Sequence, residues 1–466
     1  MTSTSIRETP CITPPLDAQF RPLVLANRAF QAAVQASGAA EPLVIAVERG
    51  DGTISRYATQ VIRPGVAGSE KNLPYVERLV KTLLWSFGGW KVYVGGPAEI
   101  GEAIRAMYAE GGSRAFDADV MGRIYERQFT VVPSATSEVP AAKETSSSVG
   151  GHLEGCRIGF DAGASDRKVA AVIDGEAVYS EEVIWDPRPQ TDPQFHFDEI
   201  MTAMRTAASN MPRVDAIGVS SAGVYINNRI MIASLFRGVS KELFEKRVKG
   251  LFLEIQQAWG GIPLEVVNDG DVTALAGAMS LNDTAVIGVA MGSSEAAGYV
   301  NPDGNITNWL NELAFVPIDA AAKAPADEWS GDIGCGVQYL SQQAVGRLIP
   351  QAGITVDAGL GLPERLKAVQ EMFAAGDQRV RPIYETIGIY LGYALAHYAD
   401  YYDFRHALIL GRVTSGDGGA IILEYAKKVL AQDFPELAAK VAIALPDESN
   451  RRVGQAIAAA SLPEVK

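Results

Sequence analysis

The chain has 466 residues, 47% hydrophobic and 21% charged, the mix of a globular protein long enough to bury several cores without disulfide staples. Forty-one Lys and Arg against 55 Asp and Glu leave a net charge of −14, which argues against general affinity for a nucleic-acid backbone. Cys11, Cys156 and Cys335 lie far apart and make no CxxC pair, and the four histidines show no HxxxH spacing, so neither a zinc ribbon nor a His-rich metal site is expected. No stretch has the apolar length of a signal peptide or of a membrane span, so a cytoplasmic protein with no membrane or nucleic-acid partner is expected.

An N-terminal α/β domain is expected over residues 1–133. Residues 41–62 read as two strands around a turn at Gly50–Gly52. Val76, Leu79, Val80, Leu83, Leu84 and Phe87 follow at helical spacing, and Gly88-Gly89 ends that helix. A strand at 90–94 and a helix opened by Pro97 come next. Residues 134–152, rich in Ser, Pro, Ala and Gly, read as a linker. Beyond it, strands are expected at 157–161, 169–173, 178–184, 216–220 and 264–267, with a helix near 197–208. A similar pattern restarts with strands at 285–290, 296–300 and 313–318, a long helix at 387–402 and a strand at 407–410. Two related α/β halves predict a two-lobed protein with a ligand cleft between the lobes. The first lobe is placed at 153–275 plus 447–464, the second at 276–446.

Four segments carry the chemistry. Asp161-Ala-Gly163-Ala-Ser165-Asp-Arg-Lys168 ends a strand in an acid followed by small residues that let backbone N–H groups approach a phosphate. Asp161 would hold Mg²⁺ directly or through water, and Lys168 would face phosphate oxygens; the plain alternative is a hairpin turn. Asn268-Asp269-Gly270-Asp271 ends a buried strand and opens a helix. Asp269 there suits a general base and Asn268 an orienting group, with helix capping by Asp269 or Asp271 as the alternative. Gly292-Ser293-Ser294 offers amides and hydroxyls to nucleotide phosphates, or is a polar hairpin turn. Gly411-Arg412-Val-Thr414-Ser-Gly, between a strand and a helix, makes a glycine-rich nucleotide loop.

In this order the motifs resemble the ROK family of sugar kinases and repressors, within the actin/hexokinase/Hsp70 ATPase superfamily, over about residues 155–465. DAGASDRK resembles the family's D-x-G-G-T-x-x-[RK] loop, with Ala164 and Ser165 in place of Gly and Thr. The segment 216–239 is similar to the G-x-G-x-P-G strand and loop, with Ala222 for Pro. VVNDGDVTALAGA is similar to E-N-D-A-N-A-A-A-L-G-E, MGSSEAAGYV to G-T-G-x-G-G-G, and RRVGQAIAAAS to the closing helix on the first lobe. The resemblance implies an actin-like (ribonuclease H-like) fold and transfer of phosphate from MgATP to a sugar hydroxyl, with Asp269 as base. It places Asn268, Asp269, Glu312 and Ser234 at the sugar, and Gly163, Ser165, Lys168, Gly292, Ser293, Ser294, Gly411, Arg412 and Thr414 at the nucleotide.

The departures are specific. Phe315 replaces the His of E-x-G-H, Val337 replaces a sugar-contacting Glu, and only Cys335 remains of the zinc-binding cysteines, so no zinc site is expected. Ser234 stands for an Asn. Glu295 in the second loop would repel a triphosphate unless it engaged Mg²⁺. The leading reading is an ATP-dependent sugar kinase with a small-molecule sugar substrate and an added N-terminal domain; a homodimer is compatible with it. The rival is a catalytically silent sugar- or nucleotide-binding regulator.

Overall fold

A computed structural model describes residues 8–144, 150–163, 166–446 and 448–465. The chain divides into two compact units. Unit one takes Met1–Thr145, Val289–Ala296 and Asn308–Leu445; unit two takes Ser146–Gly288, Ala297–Thr307 and Pro446–Lys466.

Unit one begins with α1 (Leu23–Ala36), a helix not anticipated from the sequence, then β1 (Ala40–Glu48) and β2 (Ile54–Ile62), a hairpin paired from Ala40↔Ile62 to Glu48↔Ile54. Gly52, at φ 76°, turns that hairpin in the expected place. Then come α2 (Asn72–Phe87), β3 (Lys91–Gly95), α3 (Ala98–Met107), α4 (Ala115–Tyr125) and β4 (Thr130–Ser134), giving a four-stranded sheet of order β2-β1-β3-β4. The expected apolar stripe of α2 is buried, but so are Lys81, Thr82, Trp85 and Ser86. Pro97 is the cap before α3 rather than its first residue. The segment read as linker is not uniform. Val139 packs on Val44 and Ala46, Lys143 pairs with Ile54, and Glu144 accepts Arg49 at 2.6 Å; residues 145–149 lie outside the described residues.

Unit two holds β5 (Cys156–Ala162), β6 (Asp166–Ile173), β7 (Glu176–Ile184), α5 (Pro193–Ala208), β8 (Ala216–Ser221), β9 (Val224–Ile226), β10 (Arg229–Ile232), the single turn α6 (Lys241–Leu243), α7 (Leu251–Ala258), β11 (Leu264–Asn268) and α8 (Asp269–Leu281). Its five-stranded sheet has the order β11-β8-β5-β6-β7, with β11, β8 and β5 parallel. Buried Ile158, Phe160, Ile217, Val219, Leu264 and Val266 of these strands join Ile200, Met204 and Phe252 of the helices in one core.

β12 (Val286–Met291) and β13 (Glu295–Val300) each give residues to both units, residues 289–296 belonging to unit one. Unit one continues with α9 (Gln342–Leu348), α10 (Leu362–Ala374), α11 (Arg381–Tyr398), β14 (His406–Leu410), α12 (Asp417–Asp433), α13 (Pro435–Lys440) and β15 (Ala442–Ala444), in a sheet of order β13-β12-β14-β15. The expected strand at 313–318 is absent. Leu313–Phe315 is a 3-10 turn in which Phe315 N–H donates to Glu312 and Val316 N–H to Leu313, and Pro317 has no N–H for a ladder. The closing helix α14 (Glu448–Ala460) packs on β5 and β8 in unit two. Gly159 and Gly218 permit that approach, because a Cβ on either would collide with the carbonyls of Ala456 or Ala459.

Candidate functional site

In unit two the polar residues gather where the parallel strands end. Asp161 on β5 lies beside Ser220 on β8, and Ser220 and Ser221 lie beside Val267 and Asn268 on β11. At two strand spacings, Asp161 and Asn268 are roughly 10 Å apart along the sheet. Apart from Arg157 and Glu265 the strands are apolar until these last residues, so the core holds the backbone while the polar residues gather at the ends.

Asp161 is 5% exposed and accepts the Ser220 hydroxyl at 2.8 Å and, more weakly, Gln455 at 3.4 Å. Lys168, its cross-strand partner on β6, brings Nζ to 3.6 Å from Asp161 and 2.9 Å from Asp166. Burial pushes the Asp161 carboxyl above its usual range; Lys168 and Ser220 oppose that shift. Burial works against the Lys168 charge too, but Asp161 and Asp166 outweigh it and its pKa lies above the ordinary value. Lys168 therefore stays charged, shared between two carboxylates.

Asp269 is the first residue of α8, and its Oδ1 accepts the Gly270 N–H at 3.0 Å. Burial first, and the charge of Asp161 second, push its carboxyl up to about 6. Capping falls to Asn268, whose Oδ1 accepts Gly270 N–H at 2.8 Å while Nδ2 donates to Gly223 at 2.7 Å. Asp271 is structural: it is buried and accepts the Tyr299 N–H at 3.0 Å. Gly163 accepts the Trp185 indole at 2.8 Å, which ties down the first loop. Ser234 is exposed and opens a 3-10 turn whose other residues, Leu235 and Phe236, are buried. Ser165 lies outside the described residues.

In unit one the two glycine loops meet. Gly411, at φ 96°, packs so closely on Met291 that a Cβ would collide with its backbone. Gly292 closes its turn by donating to Ser294 at 2.9 Å, and leaves the side chains of Ser293 and Ser294 exposed. Arg412 is exposed, whereas Thr414 is buried and turns its hydroxyl onto Gly411 at 2.9 Å. Thr414 thus shapes the loop from beneath. The loop leads into α12, whose N-terminus has no side-chain cap, so its amides remain for an anion. Glu312 is half-buried, directly before the turn at 313–315.

Glu295 is not a charge in the phosphate loop. It is 2% exposed and accepts the Tyr398 hydroxyl at 2.9 Å. Burial, with Glu312 adding to it, pushes its carboxyl up to about 8, so it is mostly neutral at pH 7. Ser220 and Gln455 escaped the sequence reading; the signal for Ser220 was a pair of serines ending an otherwise apolar strand.

Among the described residues no group of three or more His, Cys, Asp or Glu is arranged to hold a metal ion. The hard oxygen donors of Asp161 do fit Mg²⁺ that keeps most of its waters. No described helix is long and apolar enough to cross a membrane. A pocket of about 530 Å³ in unit one is lined by residues such as Arg21, Phe30, Tyr75 and Arg78 and by none of the predicted site residues.

No family model matches the chain, and no curated protein matches it. Its fold defines a class, the two-lobed actin-like α/β proteins, and solved structures give the nearer likeness. A ROK hexokinase from Thermus thermophilus is 16% identical with a TM-score of 0.51, over 66% of this chain and 97% of that one. A ROK family transcriptional regulator, a homolog of the E. coli MLC protein, is 18% identical with a TM-score of 0.50, over 66% of this chain and 78% of that one. The chain therefore has the fold of ROK proteins, a fold that serves both a hexokinase and a regulator.

Proposed function

We propose that the protein is an ATP-dependent kinase for the hydroxyl of a sugar or sugar derivative. The observation that carries this is Asp269: a carboxylate at the start of a helix, held up to about 6 by burial and by Asp161, is ionised at neutral pH yet basic enough to accept a proton. Asp269 takes the proton of the acceptor hydroxyl as that oxygen attacks the terminal phosphate. Asp161 would hold Mg²⁺, directly or through water, and the ion would supply positive charge to the phosphates. Lys168 keeps the first loop in place and adds a second positive charge. The amides of the Gly292 loop and of the Gly411 loop with the α12 N-terminus bind phosphates and nucleotide, Arg412 stands at the second loop, and Glu312 contacts the acceptor. Because Glu295 is neutral, the second loop offers hydroxyls and amides without an opposing charge.

A coupled ADP-release assay over a sugar panel tests the reading. Turnover that depends on one sugar, and collapses in Asp269→Asn, is expected. A silent sugar- or nucleotide-binding regulator is the second reading. Asn268 favours it, because both of its polar groups are spent on the protein itself. Tight sugar binding by calorimetry, with no nucleotide binding and no ADP, would establish it.

A further inference from the structure

The C-terminal end of α2 meets the loop that carries Glu312. A helix leaves its last carbonyls without intrahelical donors. In α2 two of these are answered from far along the chain: Ser86 C=O accepts the Asn311 N–H at 2.9 Å, and Trp85 C=O accepts the Glu312 N–H at 3.0 Å. Asn311 is buried in the left-handed region, at φ 54°, a conformation Asn tolerates better than most residues. The Tyr402 hydroxyl donates to its Oδ1 at 3.1 Å. One face of Phe315 is stacked on Trp85, centroids 4.2 Å apart and planes 25° from parallel.

Trp85 is itself fixed. It is 2% exposed, and its indole N–H donates to Asp117 at 2.8 Å. Lys81, fully buried, bridges Asp117 at 3.2 Å and Asp332 at 3.0 Å. Arg78 and Arg114 reach the same Asp332 at 3.0 and 2.8 Å. Helix α2 therefore grips residues 311–315 through backbone bonds and a ring stack, and grips Asp332 through ion pairs. A helix that only covered a surface would need none of these.

We propose that α2 is the positioning element for Glu312, with Trp85 as the central positioning residue, so that acceptor recognition depends on the N-terminal region. This rests on the reading of Glu312 as an acceptor contact. Trp85 touches no substrate; it acts by accepting the Glu312 N–H and by stacking on the ring of Phe315, while Ser86 beside it holds Asn311.

The test uses the full chain with Trp85→Ala and Trp85→Phe. In Trp85→Ala, amide exchange over 311–316 should rise at least about tenfold, with 216–221 in unit two unchanged. The KM for the acceptor should rise at least about tenfold, with kcat and the KM for ATP within about twofold. Trp85→Phe keeps a ring to stack and should recover most of the loss. Unchanged exchange and acceptor KM in Trp85→Ala, or equal damage to both substrates' KM values that Trp85→Phe does not relieve, would overturn the proposal. If Trp85→Ala does not fold, the unmodified protein decides. Amides of Asn311 and Glu312 should open together with those of the last turn of α2 as urea is added, and independent opening would overturn it. If no sugar gives ADP, the kinase reading fails by itself, and exchange still shows whether α2 holds the loop.

Discussion

In unit two, Asp161 lies near the end of β5 and Asp269 directly follows β11, Lys168 is paired with Asp161, and both carboxyls are pushed above their usual range. In unit one, Asp332 receives Lys81, Arg78 and Arg114, which outweigh its burial and hold its carboxyl well below that range. The same side chain is under opposite fields. Unit one sets Lys81, Arg78 and Arg114 against Asp332, Asp117 and Glu77 and gains a fixed joint between the N-terminal region and the loop before Cys335. Unit two leaves two acids partly uncompensated, which costs stability and is the pattern expected of a functional site. Under-compensated charge marks the place where a substrate or ion completes the electrostatics.

Removing each acid should therefore act in opposite directions. Asp269→Asn should lower turnover about 10²–10⁴-fold, the range for a lost general base. It should also raise stability by up to about 3 kcal/mol, because the carboxyl is raised from 3.8 to about 6 and each unit of upward shift costs about 1.4 kcal/mol when the group is ionised. ADP release and urea unfolding read the two effects, and unchanged turnover would remove Asp269 from the mechanism.

Asp332→Ala should do the reverse to stability, lowering it by about 3–5 kcal/mol, since it strands buried cations. A urea midpoint that does not move would show that the joint contributes nothing. This loss should also appear in acid: a depressed carboxyl stabilises above its unfolded pKa of 3.8, and that stability fades as pH falls further.

Glu295 sharpens the comparison inside unit one. Its carboxyl, raised from 4.5 to about 8, gives stability that is complete below pH 4.5 and is lost as pH rises through 8. Glu295→Gln stays neutral, so melting temperatures from pH 5 to 9 should fall less steeply in the variant; parallel curves would mean that Glu295 is ionised throughout. The smallest effect expected is the pH dependence of kcat/KM, which should drop about tenfold per pH unit below pH 6 as Asp269 takes up its proton. A flat acid limb would separate the base from Asp269.

Much of the site was legible because strand-end acids and glycine loops follow local rules. Asp161, Asp269, Gly292 and Gly411 stand at element ends that apolar runs announce. Roles that depend on where a side chain turns were not legible. Thr414 looks like a loop hydroxyl but bonds back to Gly411, Asn268 is a helix cap, and Glu295 looks like a repulsive charge but lies buried against Tyr398.

The sequence alone determined the two-lobed α/β class, the succession of most strands and helices along unit two and the chain positions of the candidate acids. These follow from hydrophobic period and turn chemistry, which act over a few residues. Only the tertiary structure brought the end of α2 against residues 311–315. Trp85 and Glu312 are separated by more than two hundred residues, and a hydrogen bond from one backbone to another leaves no pattern in either segment. Lys81, a charge within an apolar helix, is buried because Asp117 and Asp332 close over it.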